Sequence, residues 1–435
     1  MVANRIVANR IVFMDWGIVM QKKLKQAYGN YVEGVRFWNR EKDIELLISK
    51  LDDGAHILLV AQRRMGKTSL MQEVKRQLSS RYLCLFVDLQ KAASAEDAIV
   101  DLSLALKPYN SLWCRTKDLF ANALNKFTGT VEELNLGEVG IRLRAGLTSG
   151  NWSEKGDSVF SILAETDKPV LLLIDEVPLM VNRILKGDDF KITRESRARV
   201  DEFMSWLRKN SLAHQGKVRI VLSGSIGFEP VLRQAGLSAT INNFQPFDLK
   251  PWDEETAAGC LQALANEYGI QFRDNAEAVM AKRLGCCIPH HVQMFFSHVY
   301  DRCKRRGRMD FFPDEVNDIY ENEMLGIRGH AELTHYEDRL KLVLGHEIYP
   351  LALEMLTETA VTGCLGREAL AAMQKGYEFA QRNTREAEEE ILRVLEHDGY
   401  IKAGKGGYVF ESHLLQDWWK KRYGLFHVPV LERGI

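Results

Sequence analysis

The stretch Ile57–Leu70, with the sequence ILLVAQRRMGKTSL, determines how the rest of the chain is interpreted. Its first four residues are apolar and predict a short buried strand. The turn Gln62–Gly66 follows, and Lys67–Ser69 begins an amphipathic helix. A strand that leads through a loop of free backbone N–H groups to a helix N-terminus is a binding site for anions. The sequence therefore predicts a phosphate-binding loop here.

The residues of this loop suit a nucleoside triphosphate bound together with Mg²⁺. Lys67 is predicted to reach the β- and γ-phosphates as a mobile charge, and the Thr68 hydroxyl is predicted to ligate Mg²⁺. In the usual pattern, G-x-x-x-x-G-K-[ST], Ala61 replaces the first glycine, whereas Gly66 keeps the position where a side chain would obstruct the phosphates. The alternative is that Gly-Lys-Thr occurs after a core strand by chance. The presence of both a strand before it and a helix after it disfavours this alternative. The predicted nucleotide-binding residues of the loop are Gln62, Arg63, Arg64, Met65, Gly66, Lys67, Thr68 and Ser69.

A second motif, PVLLLIDE at residues 169–176, is a continuous apolar run that ends in two carboxylates. Such a run is typical of a strand buried on both faces of a parallel sheet, and ligands bind at the carboxyl ends of these strands. Asp175 is predicted to contact Mg²⁺ through water, and Glu176 to orient or deprotonate the water that attacks the γ-phosphate. An isolated Asp-Glu pair after a strand is usually structural. Its combination with the phosphate loop favours catalysis.

A further strand, residues 218–223, ends in Leu-Ser-Gly-Ser. Ser223 is predicted to sense the γ-phosphate or the attacking water through a hydrogen bond, although the segment could equally be a simple turn. Residues 247–249 are predicted to close the sheet. The helix predicted over residues 200–212 carries Arg208.

The segment before the phosphate loop predicts a helix that begins at Arg40 and Glu41. Asn39 is its expected N-cap, and the expected apolar face is Ile44, Leu47 and Ile48. Alone, this would be a surface helix, but a helix entering the first strand of a nucleotide domain often lies beside the adenine. Residues 2–11 repeat the pentad VANRI, which is too short for a structural repeat and is interpreted as part of a terminal extension.

The chain is predicted to be wholly helical beyond residue 251, until a hairpin near its end. Three helices are expected at residues 253–268, 275–284 and 290–305, with Pro289 in the first turn of the third. A metal site is considered for the cluster Cys286, Cys287, His290 and His291, but its spacing matches no common zinc pattern. The favoured interpretation of this cluster is the partly buried start of a helix.

Residues 340–425 predict a winged helix. Its helices are expected at residues 340–359, 366–374 and 384–397, followed by a hairpin at 400–410 and a last helix at 412–423. Trp418 and Trp419 are adjacent on that helix, so one of them is expected to be exposed as an anchor for a partner. The helix 384–397 has an acidic balance that DNA phosphates would repel, although lysines of the wing and last helix could make non-specific contacts.

Composition limits the class of protein. A length of 435 residues favours two to three domains, and a formal net charge of −1 creates no global field that would attract nucleic acid or a membrane. Seven cysteines without a C-x-x-C pair are typical of reduced thiols. No apolar run approaches the roughly 18 residues of a membrane span, and the N-terminus lacks a signal-peptide pattern. We therefore expect a soluble cytoplasmic protein that does not bind membranes.

Several motifs of this chain together resemble the archaeal-type ATPases. They are residues 37–47, the phosphate loop with Arg63 and Arg64, LLLIDE, LSGSIG and the terminal FESHLLQDWWKKRYG. These belong to the STAND class of P-loop NTPases and are related to the origin-recognition and AAA+ ATPases. The resemblance implies an α/β fold, in which a P-loop NTPase parallel sheet flanked by helices precedes an all-α lid and a C-terminal winged-helix domain. It places Arg40 and Glu41 near adenine and Pro289 near the nucleotide base. It transfers no arginine finger, for which Arg208 and Arg233 are the candidates.

Two departures from the family pattern stand out. Asn39 occupies a position that is often glycine, and Gly285 lies four residues before Pro289 where G-x-P is usual. The expected divisions are an N-terminal extension (1–34), the ATPase core (35–249), the lid (250–335), the winged helix (336–425) and a tail (426–435).

Three functions compete at this stage. The favoured one is an ATP- and Mg²⁺-dependent switch with slow hydrolysis that controls a protein partner or self-oligomerisation. The second is an ATP-regulated DNA-binding protein that uses the winged helix. The third, a small-molecule kinase, requires an acceptor site that the sequence does not reveal.

Overall fold

A five-stranded parallel sheet forms the centre of the computed structural model, which describes residues 24–27, 29, 31–124, 135–379 and 383–433. The pentad repeat of residues 2–11 lies outside these residues. The strands of the sheet are β1 (His56–Val60), β2 (Leu83–Asp88), β3 (Val170–Asp175), β4 (Val218–Leu222) and β5 (Phe244–Asp248). Their order is β2-β3-β4-β1-β5, with β5 at one edge as expected. The predicted α/β fold class is confirmed.

The register of the sheet brings the predicted motifs to one edge. Asp88 pairs with Asp175 at the ends of β2 and β3, and Ile174 pairs with Leu222 of β4. All six residues of β3 are buried, as its unbroken apolar sequence predicts. Because parallel strands end at the same edge, the segments that follow β1, β3 and β4 meet there.

Helices cover both faces of the sheet. Side chains alternate along β1, so that Ile57 and Leu59 pack on one face while Leu58 packs on the other. The helices of this core are α1 (Glu41–Asp52), α2 (Lys67–Leu78), α3 (Ala95–Leu104), α4 (Asn110–Leu119), α5 (Ala121–Leu124), α6 (Leu136–Ala145), α7 (Trp152–Ala164), α8 (Val177–Lys186), α9 (Arg194–Ala213) and α10 (Phe228–Gln234).

The start of α1 differs from the prediction. Arg40, not Asn39, occupies the N-cap position, and its backbone N–H donates to the carboxylate of Glu41 at 3.0 Å. Asn39 instead has a φ of 37° and donates from its side chain to the Thr256 hydroxyl at 3.1 Å. Asn39 therefore links the entry of α1 to the lid, and an N-cap motif read locally cannot reveal such a tertiary partner.

Residues 250–326, which the prediction assigns to the lid, contain four α-helices and one short strand pair that the helical prediction omits. The elements are α11 (Glu254–Tyr268), β6 (Gln271–Phe272), α12 (Ala276–Leu284), α13 (Pro289–Arg306), β7 (Asp310–Phe311) and α14 (Val316–Ile319). β6 and β7 pair in parallel over two residues each, which is too short to produce a periodic pattern in the sequence.

In the part of the C-terminal region that the structure describes, there are four α-helices and an antiparallel hairpin. These are α15 (Ile327–Thr362), α16 (Arg367–Gly376), α17 (Thr384–His397), β8 (Ile401–Ala403), β9 (Tyr408–Phe410) and α18 (His413–Tyr423). α15 is interrupted at Gly345, whose φ of 74° lies outside the helical region and is available to glycine without steric cost.

The expectation that one of the two adjacent tryptophans is exposed is wrong. Trp418 and Trp419 are 2% and 0% exposed. α18 packs against α15, the lid helix α12 and strand β9, so neighbouring positions on it find different partners. Trp418 donates to His330 Nδ1 at 3.1 Å, whereas Trp419 meets the rings of Tyr400 and Tyr423.

No helix within the described residues is both long enough and apolar enough to cross a membrane.

Candidate nucleotide-binding site

A cavity of about 450 Å³ opens at the carboxyl edge of the sheet. It lies between the phosphate loop, the chain segment before α1, the lid and α15. Most of the residues predicted from the sequence line it: Arg40, Arg63, Arg64, Met65, Gly66, Lys67, Thr68, Ser69, Asp175, Glu176 and Pro289. Three predicted residues, Glu41, Gln62 and Ser223, do not line it.

The phosphate loop holds Lys67 in place through the backbone. The Lys67 ammonium donates to the carbonyl oxygens of Ala61 at 2.6 Å and Gln62 at 2.9 Å. Burial lowers the pKa of Lys67 to about 8, although Asp175 and Glu176 oppose the shift. A phosphate would supply the negative charge that this buried ammonium needs.

Backbone conformation explains the glycine pattern of the loop. Gly66 has a φ of 88°, and a Cβ there would make only an ordinary contact with Ser69, so the conformation is what requires glycine. Ala61 is not among the residues with positive φ, so its methyl group is accommodated. Arg64 also has a positive φ, 68°, so the backbone of the loop changes direction at the second of its two arginines.

Thr68 and Asp175 form the pair of oxygen groups that the prediction assigns to Mg²⁺. The Thr68 hydroxyl donates to Asp175 Oδ2 at 2.6 Å. Burial raises the pKa of Asp175, and the hydrogen bond from Thr68 opposes that rise. A hydroxyl and a buried carboxylate at the cavity wall are hard oxygen donors, so the pair fits Mg²⁺ with its remaining positions left to water and phosphate.

Glu176 occupies a left-handed turn between β3 and α8, with a φ of 61°. Its Oε2 atom accepts hydrogen bonds from the backbone N–H of Ser225 at 3.0 Å and from the Ser225 hydroxyl at 2.8 Å. A left-handed conformation at a residue other than glycine costs free energy of order 1 kcal/mol or more and is typical of functional sites.

Ser225, and not Ser223, is the serine that faces the cavity. Ser223 is completely buried beside Asp175. The sequence offers two serines around one glycine after β4, and only the tertiary structure decides which of them lies in the cavity.

Part of the cavity lining is flat and largely apolar. Trp38, Trp252 and Pro289 contribute to it, and the Arg40 guanidinium lies 5.9 Å from the centroid of the Trp252 ring. Arg40 also pairs with Asp43 at 3.1 Å, while burial lowers its pKa. Flat apolar surfaces with a few polar groups suit a nucleobase.

The segment before α1 contributes cavity residues that sequence reasoning assigned to an extension. Ala27, Gly29, Tyr31 and Val32 line the cavity. The backbone N–H of Val32 donates to the Ser69 hydroxyl at 3.0 Å. Because this segment lacks periodicity, its tertiary contacts leave no signal in the sequence.

The two arginine-finger candidates lie elsewhere. Arg208 donates to the carbonyl oxygen of Ala239 at 2.9 Å, and Arg233 pairs with Glu229 at 2.8 Å. Neither lines the cavity.

Positive side chains outnumber negative ones around the cavity. Six of the described residues that line it carry positive charges: Arg36, Arg40, Arg63, Arg64, Lys67 and Arg339. Three carry carboxylates, namely Asp88, Asp175 and Glu176. In a chain whose formal net charge is −1, this local excess favours a polyanion.

Two solved structures resemble nearly the whole chain. The Walker-type ATPase of Pyrococcus abyssi matches with a TM-score of 0.60 at 17% sequence identity, over 92% of this chain and 100% of that one. The ORC2 protein of Aeropyrum pernix, solved in ADPNP and ADP complexes, matches with a TM-score of 0.52 at 12% identity, over 92% of this chain and 96% of that one. The chain has the fold of a P-loop ATPase.

No protein-family model matches the chain, and no curated protein matches it either. At these low identities the two structures establish the fold alone.

Proposed function

We propose that this protein binds ATP with Mg²⁺, hydrolyses it slowly and uses its nucleotide state to control how its C-terminal region engages a partner or a second copy of the chain. The observation that carries the proposal is the convergence of Lys67, the Thr68–Asp175 pair and Glu176 in one positively charged cavity. The fold shared with the Walker-type ATPase of Pyrococcus abyssi supports it.

Each group has a distinct role in the proposed reaction. Lys67 and the N–H groups of the loop bind the phosphates, and Thr68 and Asp175 hold Mg²⁺, which neutralises phosphate charge. Glu176 accepts a proton from the attacking water. Its two hydrogen bonds from Ser225 hold the carboxylate in one position at the cavity.

Contacts between the phosphate loop and the C-terminal region support a switch. Gln62 donates to Glu411 at 2.6 Å. Arg63 donates to the carbonyl oxygen of His335 at 3.1 Å. Arg64 pairs with Glu332 at 3.0 Å. Because three consecutive loop residues bind this region, a nucleotide that moves the loop also changes how the region is held.

We propose the domain limits given above, with residues 35–249 as the ATPase core, 250–335 as the lid, 336–425 as a winged helix, 1–34 as an N-terminal extension and 426–435 as a tail. The limit at 335/336 falls within α15. Residues of α15 on both sides of it therefore act together at the phosphate loop.

The placement of α17 argues against the DNA-binding alternative. α17 would be the recognition helix of a winged helix, but it packs against α10 of the ATPase core. Next to its end, the backbone of Gly227 lies so close to His397 and Asp398 that a Cβ there would clash. In this arrangement α17 is not free to enter a DNA groove, whereas its contact with α10 is already in place for regulation within the protein.

The test is isothermal titration calorimetry with Mg·ATP on Lys67→Ala. Loss of a charge-assisted phosphate contact should weaken binding by about 2–3 kcal/mol, or roughly 30- to 150-fold. Lys75→Ala removes a positive charge from the same helix outside the cavity and should leave the affinity unchanged. Equal ATP affinity in Lys67→Ala and the wild type would refute the site assignment.

A further inference from the structure

A short segment after α18 exposes four large apolar side chains. Leu425, Phe426, Val428 and Leu431 are 79%, 90%, 50% and 59% exposed, and we call these four residues the C-terminal patch. The part of the chain that the structure describes has twelve exposed large hydrophobic residues, and four of them lie within these seven positions. Single exposed apolar residues are ordinary, whereas a cluster of them marks an interaction surface.

The segment that carries the patch is attached to the protein by a buried carboxylate. The His427 side chain, which is only 8% exposed, donates from Nε2 to Glu358 Oε2 of α15 at 2.6 Å. The backbone N–H of Val430 donates to the same oxygen at 3.1 Å, and the Val430 side chain is buried. Glu358 therefore holds the segment at two points.

A third attachment lies at Arg433. This residue donates to the carbonyl oxygen of Val428 at 3.0 Å and pairs with Glu354 of α15. The burial pattern of the segment is thus the reverse of the usual one, because a histidine and a backbone N–H are buried while their apolar neighbours face solvent. A segment held in this way has little conformational entropy left to lose when the patch binds a partner.

The patch has the area of one half of a small symmetric interface. From their exposed fractions, its four residues present roughly 500 Å² to solvent. Two copies that meet through the same patch would bury about 1,000 Å², which is the lower limit for a specific interface. A two-fold interface uses the same surface on both copies, so the patch needs only to match itself. An interface of this size should form at micromolar concentrations.

The charges at the two ends of the segment favour the same occupant. Lys420 and Lys421 precede the patch at the end of α18, and Glu432 follows it. All three residues are exposed, and none of them pairs with a side chain of opposite charge within the described part of the chain. Lys420 and Glu432 are each six positions from Phe426. In an antiparallel arrangement centred on Phe426, Lys420 of each copy therefore faces Glu432 of the other.

A membrane surface accounts for these charges less well. Recognition of anionic lipids by a surface segment uses a cluster of roughly four to eight basic residues. Beside the patch, Arg422 is already paired with Glu337, which leaves the two lysines. Glu432 at the other end would be repelled by anionic headgroups.

We propose that residues 420–432 form the interface of a homodimer, in which the C-terminal patches of two copies pack together about a two-fold axis near Phe426. The proposal rests on the proposed function, since it names the surface through which the C-terminal region engages a second copy of the chain. Assembly through this surface needs no nucleotide, so it can be measured separately from ATP binding.

The experiment is sedimentation velocity of the full chain over about 0.5–200 µM, a range that spans the expected dissociation constant. The wild type should change from one chain to two across this range. Phe426→Asp places two carboxylates at the axis and should weaken the association about 100-fold or more, so this variant should stay monomeric. Ile141→Asp is the matched control, because Ile141 is 68% exposed on α6 of the ATPase core. It should leave the association unchanged.

Reversal of the end charges tests the antiparallel arrangement. Lys420→Glu and Glu432→Lys should each weaken the association by about threefold to tenfold, because like charges then face each other. The double variant should recover the wild-type association, since opposite charges face each other again.

Three results would overturn the proposal. They are a wild type that stays monomeric throughout the range, Phe426→Asp that associates like the wild type, and a double charge variant that associates more weakly than either single one. Binding of a monomeric wild type to vesicles of phosphatidylcholine and phosphatidylserine would assign the patch to a membrane instead.

Folding and nucleotide binding are checked separately. At about 0.5 µM, where the chain should be monomeric, Phe426→Asp should unfold in urea like the wild type, because Phe426 is exposed. If it unfolds at a lower urea concentration, the charge variants decide alone. Phe426→Asp should also bind Mg·ATP with wild-type affinity. A wild type that dimerises but binds no ATP would refute the proposed function and not the interface, so the two failures are distinguishable.

Discussion

The low pKa of the buried Lys67 predicts that nucleotide binding takes up a proton at alkaline pH. In the free protein burial lowers this pKa to about 8 from an ordinary value of 10.5. Phosphates placed against the ammonium favour its charged form and raise the pKa again. ATP affinity should therefore be highest, and nearly independent of pH, below pH 8. It should fall by up to about tenfold per pH unit as the pH rises above 8.

The size of the effect follows from the titration of one group. At pH 8.5 about three quarters of the Lys67 side chains are neutral in the free protein, whereas at pH 7 about one tenth are. Binding that restores the ammonium should take up about 0.75 proton per nucleotide at pH 8.5 and about 0.1 at pH 7. The phosphates of the nucleotide contribute little at pH 8.5, because their last pKa lies well below it.

Calorimetry in pairs of buffers with different ionisation enthalpies measures this uptake directly, and ADPNP avoids turnover. Lys67→Arg is the control, because a guanidinium stays charged throughout this pH range. Its binding should be accompanied by no proton uptake at pH 8.5. Equal uptake at pH 7 and pH 8.5 in the wild type, or uptake that persists in Lys67→Arg, would refute the reasoning and assign the proton to another group.

Two more predictions concern catalysis and stability. Glu176→Gln should bind ATP with wild-type affinity but release no phosphate, because the amide keeps the shape of the side chain and cannot accept a proton. Phosphate release at the wild-type rate would show that Glu176 has a structural role only. Trp419→Ala should lower the free energy of unfolding by about 3–5 kcal/mol in urea titrations, because the ring is fully buried. The exposed Phe426 is the control, since Phe426→Ala should change the free energy of unfolding by less than about 0.5 kcal/mol. An equally small change in Trp419→Ala would contradict the burial of Trp419.

The strands of the sheet were largely predictable because each is a local pattern. The apolar runs of β1 and β3 are buried as expected, and the two carboxylates at the end of β3, Asp175 and Glu176, line the cavity. A strand buried on both faces must be apolar throughout, so its sequence is informative without knowledge of its neighbours. The same holds for the phosphate loop, because only glycine adopts the φ of 88° at Gly66 without strain.

Predictions that needed a choice between neighbouring residues were less successful. Ser223 was chosen where Ser225 faces the cavity, and Asn39 was expected to cap a helix but binds Thr256 of the lid. The adjacent tryptophans of α18 are both buried, because three elements enclose that helix. Each outcome depends on residues far away in the chain, which the local pattern does not contain.

The sequence by itself thus determined the parallel sheet, the phosphate loop and the carboxylates beside it, since strand burial and loop conformation restrict which residues are allowed. Only the tertiary structure decided which residues surround that loop. It brought the segment before α1, the rings of Trp38 and Trp252, and Arg339 of α15 to one cavity. These residues lie up to about 300 positions apart, and packing between elements, which no local periodicity encodes, brings them together.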